Sequence, residues 1–297
     1  MNEHRQPADS ALVPLNALVL GGGGPVGVAW TSTLLHGLES AGLPLSESGV
    51  VLGTSAGSVA GAWLTMDPAG LPALPGLMQK RAAWHAKNAA AGHGDPALLR
   101  RLADGGPHGP DRAVKIGQAA IAAITPISAA EADQLWKEAL PEGAWPRQLR
   151  AVSVNANTGV AHGWSAADAI PLGVAVSCST AAPGAAPPVT VAGSVWVDGG
   201  VRSNTNADLL LDPEGDAFPA DSLPGRVLIL APMPSAVIAR EEAVLAERGH
   251  HVRVIVSVPF YEKPQDMLDP AVIDIAAAAG ESQADDIAED LVKWWNR

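Results

Sequence analysis

Residues 49–57 constrain the fold more than any other part of the chain, because they join an apolar run to the pentapeptide Gly-Thr-Ser-Ala-Gly. The run at 49–52 is typical of a buried strand, and a helical pattern follows at about 56–66. Glycines on both sides of Ser55 permit a tight strand-to-helix turn, which exposes the serine hydroxyl beside the N-terminal amides of the helix. The segment therefore predicts a serine nucleophile, and an ordinary glycine- and serine-rich turn is the alternative.

A second apolar run, at 17–20, leads into four consecutive glycines and then Pro25-Val26-Gly27. Bare backbone amides in such a loop suit the negative charge that develops during acyl transfer. The same residues match the Gly-x-Gly-x-x-Gly fingerprint of dinucleotide-binding proteins, which also requires an acidic residue at the end of the next strand. That strand ends in Gly-Thr-Ser at 53–55. An oxyanion hole is therefore favoured, and a phosphate cradle and a purely structural turn are the alternatives.

A third apolar run, at 195–197, ends in Asp198 and two glycines. An aspartate at the end of a strand is commonly a turn residue. Beside a serine nucleophile it gains a second meaning, because the hydroxyl needs a base that accepts its proton.

These blocks together resemble the patatin-like phospholipases and lipid acyl hydrolases. Residues 22–27 resemble the glycine-rich oxyanion loop of that family, 53–57 its nucleophile elbow, and 198–200 its Asp-Gly-Gly block. The small residues at 177–188 resemble its stretch that ends in Pro-Pro. Order and spacing agree with the family over about residues 15–206.

The resemblance implies the patatin-like three-layer α/β fold, with a central, mostly parallel sheet and helices on both faces. It also implies a catalytic dyad of Ser55 and Asp198 without a histidine, and hydrolysis of acyl-lipid esters without metal or cofactor. The implied oxyanion-hole residues are Gly22, Gly23, Gly24 and Ala56, and the accompanying motif glycines are Gly27, Gly53, Gly57, Gly199 and Gly200.

The chain departs from the family pattern at three positions. Val26 stands where the glycine loop usually carries Arg or Lys, Ala186 where an aromatic residue is usual, and Asn206 where a proline is frequent. Backbone amides do not depend on these side chains, so the departures bear on substrate choice. We therefore take Val26 and Ala186 as candidate substrate-pocket residues.

Composition fits one soluble enzyme domain at 15–297, preceded by a flexible lead-in at 1–14. The net charge of -12 argues against nucleic acid and against strong attraction to anionic membranes. A single cysteine, Cys178, excludes an internal disulfide and fits a reducing compartment, so we expect a cytoplasmic protein that is at most peripheral to membranes.

Residues 68–147 lack strong strand signals and predict a helical cap, with helices at about 73–88, 96–103, 111–123 and 128–139. Several of the nine tryptophans fall in or beside this region. Tryptophan favours membrane interfaces, so a lipid-docking surface and transient contact with a membrane are one expectation, and ordinary core packing is the alternative. The tryptophans concerned are Trp63, Trp84, Trp136 and Trp145.

The histidines stand outside these motifs. His250 and His251 follow Asp198 in the chain, which permits the Ser…Asp…His order of a triad esterase, whereas His162 lies in a predicted hairpin. A surface or packing role is favoured for each. The lipid hydrolase is therefore the favoured hypothesis for the function, and three alternatives stay open. These are a triad esterase, a nucleotide-binding protein and a catalytically weak lipid-binding protein.

Overall fold

The computed structural model describes residues 14–90, 95, 97–98, 109–211 and 223–296. The predictions for residues 1–13 and for most of the helix at 96–103 lie outside these ranges. The strands are β1 Pro14–Leu20, β2 Val50–Thr54, β3 Ile127–Ser128, β4 Leu149–Asn155, β5 Ala161–Trp164, β6 Val189–Val191, β7 Ser194–Asp198, β8 Leu223–Ala231 and β9 His251–Val256. The α-helices are α1 Gly24–Ser40, α2 Ala56–Met66, α3 Leu74–Ala90, α4 Pro110–Ala123, α5 Ala129–Trp136, α6 Leu172–Ser179, α7 Ala236–Glu247 and α8 Ile273–Trp295.

The strands of the described ranges form one mixed sheet in the order β3-β6-β7-β4-β2-β1-β8-β9, and β5 pairs with β4 beside this path. The strands from β4 to β9 in that order run parallel to one another. β7 runs antiparallel to both of its neighbours. The carboxyl ends of β1 and β2 therefore lie at one edge, where each strand turns into a helix.

Alternating residues of β1 show why helices cover both faces of the sheet. Leu18 and Leu20 belong to the core that α1, α2 and α8 share. Ala17 and Val19 point the other way and pack with Leu245 of α7. A strand that is apolar on both faces needs a helix layer on each side. The predicted three-layer α/β fold is confirmed.

The two predicted hairpins both form. β4 and β5 pair antiparallel across the turn at 156–160. β6 and β7 are joined by Ala192 and Gly193, whose φ angles of 48° and 82° suit the tight turn that right-twisted strands prefer. The two-residue strand β3 is not predicted by the sequence pattern, because so short a segment has no detectable period.

The predicted cap region contains α3, α4 and α5, and these helices pack on different parts of the body. α3 contacts α1, α4 contacts β4 and β7, and α5 contacts α6. The interpretation of residues 68–147 as a cap stays a prediction.

The four tryptophans of this region do not share one exposed surface. The indole N–H of Trp63 donates to the Ala139 carbonyl at 3.0 Å, and that of Trp145 donates to the Leu149 carbonyl at 3.2 Å. Trp136 is 2% exposed, whereas Trp84 is 50% exposed. Core packing therefore describes three of the four.

Helix α2 lies unusually close to strand β1 at Gly57. A Cβ atom on Gly57 would stand 2.0 Å from the Leu20 carbonyl oxygen, which is far inside van der Waals contact. The second glycine of the Gly-x-Ser-x-Gly segment therefore sets how closely the helix after Ser55 approaches the sheet.

Gly57→Ala is expected to lower the free energy of unfolding by about 1–3 kcal/mol, because the methyl group overpacks this contact. Gly76→Ala in α3 is the matched control, since a Cβ there meets nothing within 4 Å. That change should raise stability by roughly 0.4–1 kcal/mol. Urea unfolding measures both variants, and equal effects would contradict the close approach of α2 to β1.

Candidate active site

Ser55 and Asp198 are brought together because two strands of opposite direction meet end to end along β4. Thr54, the last residue of β2, pairs with Val152, and Asp198, the last residue of β7, pairs with Ser153. β5 runs beside both of these β4 residues and occupies the other edge. β2 and β7 therefore share one edge, and the residues at their ends converge.

The backbone at Ser55 is strained and held in place. Its φ of 52° and ψ of -114° lie outside the regions that L-residues favour, a conformation that typically costs about 1–3 kcal/mol. The Ser55 amide donates to the Ser179 hydroxyl at 2.9 Å, and the Ser58 amide donates to the Ser55 carbonyl at 2.9 Å. Helix α2 begins at the next residue, so the side chain stands at a helix N-terminus.

The glycine loop offers two unengaged amides beside Ser55. The Gly22 amide donates to the Asn204 carbonyl at 2.7 Å, so it is already committed to holding the loop. Within the described ranges, the amides of Gly23 and Gly24 have no hydrogen-bond acceptor. Gly22 is therefore removed from the predicted set of oxyanion donors, because its amide is already bonded and is not a free donor to the cleft.

The Asp198 carboxyl is 2% exposed. Burial raises its pKa to about 6, while hydrogen bonds from the Gly200 amide and the Ser55 side chain act in the opposite direction. The Gly200 amide lies 2.7 Å from Asp198 Oδ1. Gly199 sits against the Val152 carbonyl, where a Cβ would come within 2.6 Å. The Asp-Gly-Gly block therefore fixes the carboxyl group by close backbone packing.

A buried loop at 203–206 ties the two strand ends together. The Asn206 side-chain amide donates to Thr54 Oγ1 and to the Gly199 carbonyl, each at 3.1 Å. The Thr205 hydroxyl donates to Glu241 of α7, whose pKa is raised by burial. Sequence patterns do not reveal the supporting roles of Asn206, Glu241 and Ser179, because each residue acts on a segment remote in sequence.

Two clefts flank Ser55. The first is lined by the glycine loop, Asp198 and apolar side chains that include Met233 and Met267. The second is lined by Ala56, Ala186 and residues of α3 and α5. Ser55, Gly24, Ala182 and Leu268 border both clefts.

The two candidate pocket residues have different positions. Ala186 lines the second cleft, as a pocket residue should. Val26 is fully buried in the core and borders neither cleft. Its helix position turns the side chain inward, so Val26 is not retained as a pocket residue.

The histidines with described side chains do not border either cleft. His251 begins β9 and pairs with Arg226, whereas the glycine loop follows the opposite ends of the parallel strands. A strand of this length spans roughly 16 Å, so His250 and His251 lie too far away for proton transfer. His162 is two strand spacings from Asp198, across Ser153, and hydrogen-bonds Asp168 at 2.8 Å.

A family model for patatin-like phospholipases matches residues 18–211, which include the end of β1, the glycine loop, Ser55 and Asp198. The match covers more than half of the 297-residue chain, so the chain belongs to the patatin-like phospholipase family. The family is one of lipid acyl hydrolases, and its resemblance to the four sequence blocks is confirmed. No match to an individual curated protein was found.

Two further properties concern the described ranges. None of their helices combines the length and the apolar character needed to cross a bilayer. Their His, Cys, Asp and Glu side chains do not gather in threes around a point where a metal ion would fit.

Asp198→Asn is expected to stabilise the protein in a pH-dependent manner. The raised pKa of Asp198 means that the native state holds its proton more tightly than the unfolded chain. Native stability is therefore lost as the pH rises toward about 6, and an asparagine does not suffer this loss. The gain of the variant should grow from about pH 4, the ordinary pKa of an aspartate, and level off near about 3 kcal/mol once the pH exceeds about 6.

Chemical denaturation of both proteins across this pH range measures the difference. The same measurement on Asp168→Asn serves as control, because that carboxyl is partly exposed and pairs with His162 at the surface. A constant difference between Asp198→Asn and wild type at all pH values would contradict the burial of an ionisable carboxyl.

Proposed function

We propose that the protein is a serine acyl hydrolase in which Ser55 attacks the ester carbonyl of an acyl lipid and Asp198 serves as the base. The observation that carries this proposal is the meeting of β2 and β7 on one edge of β4, because the strand ends next to Ser55 and at Asp198 converge there. The Ser55 side chain is near enough to Asp198 to lower the pKa of the carboxyl group, and a carboxylate in that position can accept the hydroxyl proton.

The cycle uses groups that border the clefts. Ionised Asp198 takes the proton of Ser55 while Oγ bonds to the ester carbon, and the carbonyl oxygen becomes an oxyanion. The free amides of Gly23 and Gly24, with that of Ala56 at the start of α2, donate to this oxygen. Asp198 then returns the proton to the departing alkoxide. In the second half a water molecule gives a proton to Asp198 and its oxygen bonds to the carbonyl carbon of the acyl-enzyme. The bond from that carbon to Ser55 Oγ then breaks, Asp198 returns the proton to Oγ, and the carboxylic acid leaves.

Electrostatics offset the weakness of a carboxylate as a base. Burial raises the pKa of Asp198 to about 6, which brings it closer to that of an imidazole. The N-termini of α1 and α2 both point at the region where negative charge develops. A fixed arrangement of donors needs no reorganisation during the reaction, and such arrangements supply much of the rate enhancement in enzymes.

The first cleft supports an acyl lipid as substrate. Met233, Met267 and Leu268 give it an apolar wall directly beside Asp198. Methionine side chains adapt to irregular apolar ligands, as an acyl chain requires. A cytoplasmic location and transient contact with a membrane surface, through residues such as exposed Trp84, belong to the same proposal. Buried Cys178, whose pKa burial raises to about 12, supports a structural thiol in a reducing compartment.

Ser55→Ala should abolish labelling by a fluorophosphonate probe together with ester turnover, because no other group supplies the activated oxygen. Ser46→Ala is the control, since Ser46 bonds Glu39 away from the clefts. Gel fluorescence and peptide mass spectrometry measure the labelling. Unchanged labelling of the Ser55→Ala protein would refute the assignment, and nucleotide binding without any labelling would favour the phosphate-cradle alternative.

Asp198→Asn should lower kcat by about 10²- to 10⁴-fold, the usual cost of removing a general base. Replacing His250 and His251 together by Gln should leave kcat within about twofold, because both lie at the far end of the sheet. In the wild-type enzyme, kcat/KM should decrease as the pH is lowered through a single ionisation, whose pKa of about 6 is that of Asp198. Collapse of activity in the double histidine variant would establish a triad instead.

A further inference from the structure

The second cleft beside Ser55 is lined by one charged side chain, Arg81 of α3. The rest of its wall is apolar or small, and it includes Val28, Met78 and Trp136. The first cleft is lined by one charged side chain of opposite sign, Asp198. The two sides of Ser55 therefore differ in charge.

The Arg81 guanidinium is held in place by an aromatic ring and a backbone carbonyl. Its carbon atom lies 3.8 Å from the centre of the Trp136 ring, a stacked cation–π contact. One nitrogen reaches the Leu135 carbonyl at 3.5 Å, the long limit of a hydrogen bond. Within the described part of the chain, no Asp or Glu oxygen lies within 4.0 Å of Arg81.

Trp136 supplies the ring on which this guanidinium stacks. Its side chain lines the cleft and is 2% exposed. The indole N–H is buried and finds no acceptor among the described residues. Because this N–H is closed to solvent, the role of Trp136 is to hold the guanidinium at the cleft, and the Arg81 nitrogens are the donors that an acceptor from outside would meet.

The charge on Arg81 persists at neutral pH. Burial lowers the pKa of its guanidinium to about 10, which still lies well above neutrality. Holding a cation in a poorly solvated place costs free energy unless an anion compensates it. The chain as a whole carries a net charge of -12 and repels anions, so a local cation is what admits one to this cleft.

We propose that Arg81 and Trp136 form an anion subsite, which binds a phosphate or carboxylate group on the alcohol side of the ester. This inference rests on the proposed function and narrows its substrate class to acyl esters that carry a negative charge. The acyl chain occupies the first cleft, because Asp198 would repel an anion there. The planar fork of a guanidinium matches phosphate and carboxylate oxygens in a bidentate manner.

The first test compares three octanoyl esters, those of glycerol, glycerol phosphate and glyceric acid, by the rate of octanoate release. Wild type should favour the two charged esters over the neutral one in kcat/KM. Arg81→Gln should reduce that preference by about 10-fold or more, as expected for loss of a charge-assisted hydrogen bond. The kcat/KM values for the phosphate and carboxylate esters show which anion the subsite prefers.

Lys80→Gln is the matched control, since it removes the same charge from the neighbouring, exposed position of α3. The preference of this variant should equal that of wild type. Arg81→Lys keeps the charge without the fork, so its preference should fall between wild type and Arg81→Gln. Equal kcat/KM of wild type for charged and neutral esters would overturn the subsite, and so would equal effects of Lys80→Gln and Arg81→Gln.

A binding measurement separates failure of the subsite from failure of the proposed function. Octyl phosphate, nonanoate and octanol are titrated calorimetrically into the Ser55→Ala protein, which has no nucleophile. Octyl phosphate or nonanoate should bind at least about 10-fold more tightly than octanol, and Arg81→Gln should remove the difference. Absence of ester hydrolysis together with this binding would refute the hydrolase and support the subsite. Hydrolysis without anion-dependent binding would do the reverse.

Discussion

The structure depends on one constraint, the shared edge of β4. β2 arrives parallel to it and ends at Thr54, and β7 arrives antiparallel and ends at Asp198, opposite neighbouring residues. Backbone hydrogen bonds of a buried sheet thus set the separation of Ser55 and Asp198, which is more precise than two flexible loops would be. The two clefts, the glycine loop and the loop at 203–206 all gather around this point.

This arrangement has costs that other contacts offset. Ser55 has a strained backbone, Asp198 is ionisable and buried, and Gly23 and Gly24 present bare amides. Each feature destabilises the fold, and each is one that acyl transfer would use. The compensation comes from close backbone packing at the motif glycines and from buried hydrogen bonds of Ser179 and Asn206. Local strain at a functional site supported by a rigid surrounding is a common pattern in enzymes.

Much of the fold and the centre of the site could be predicted from the sequence, because both depend on patterns of neighbouring residues. The turn at Ser55, the Asp-Gly-Gly block and the two hairpins each depend on a few adjacent residues. The rest depends on contacts between remote segments, such as Asn204 with Gly22 and Asn206 with Thr54, which leave no periodic signal. Arg81 illustrates the limit, since a lone arginine on a helix gives no sign that its charge will face a cleft.

The most direct measurement is a crystal structure of the protein inhibited with an alkyl fluorophosphonate. The account predicts a bond from phosphorus to Ser55 Oγ, with the phosphoryl oxygen between the amides of Gly23 and Gly24. It also predicts the alkyl chain in the first cleft and the Asp198 carboxyl within hydrogen-bonding distance of Oγ. An adduct on another residue, or a phosphoryl oxygen turned away from the glycine loop, would contradict it.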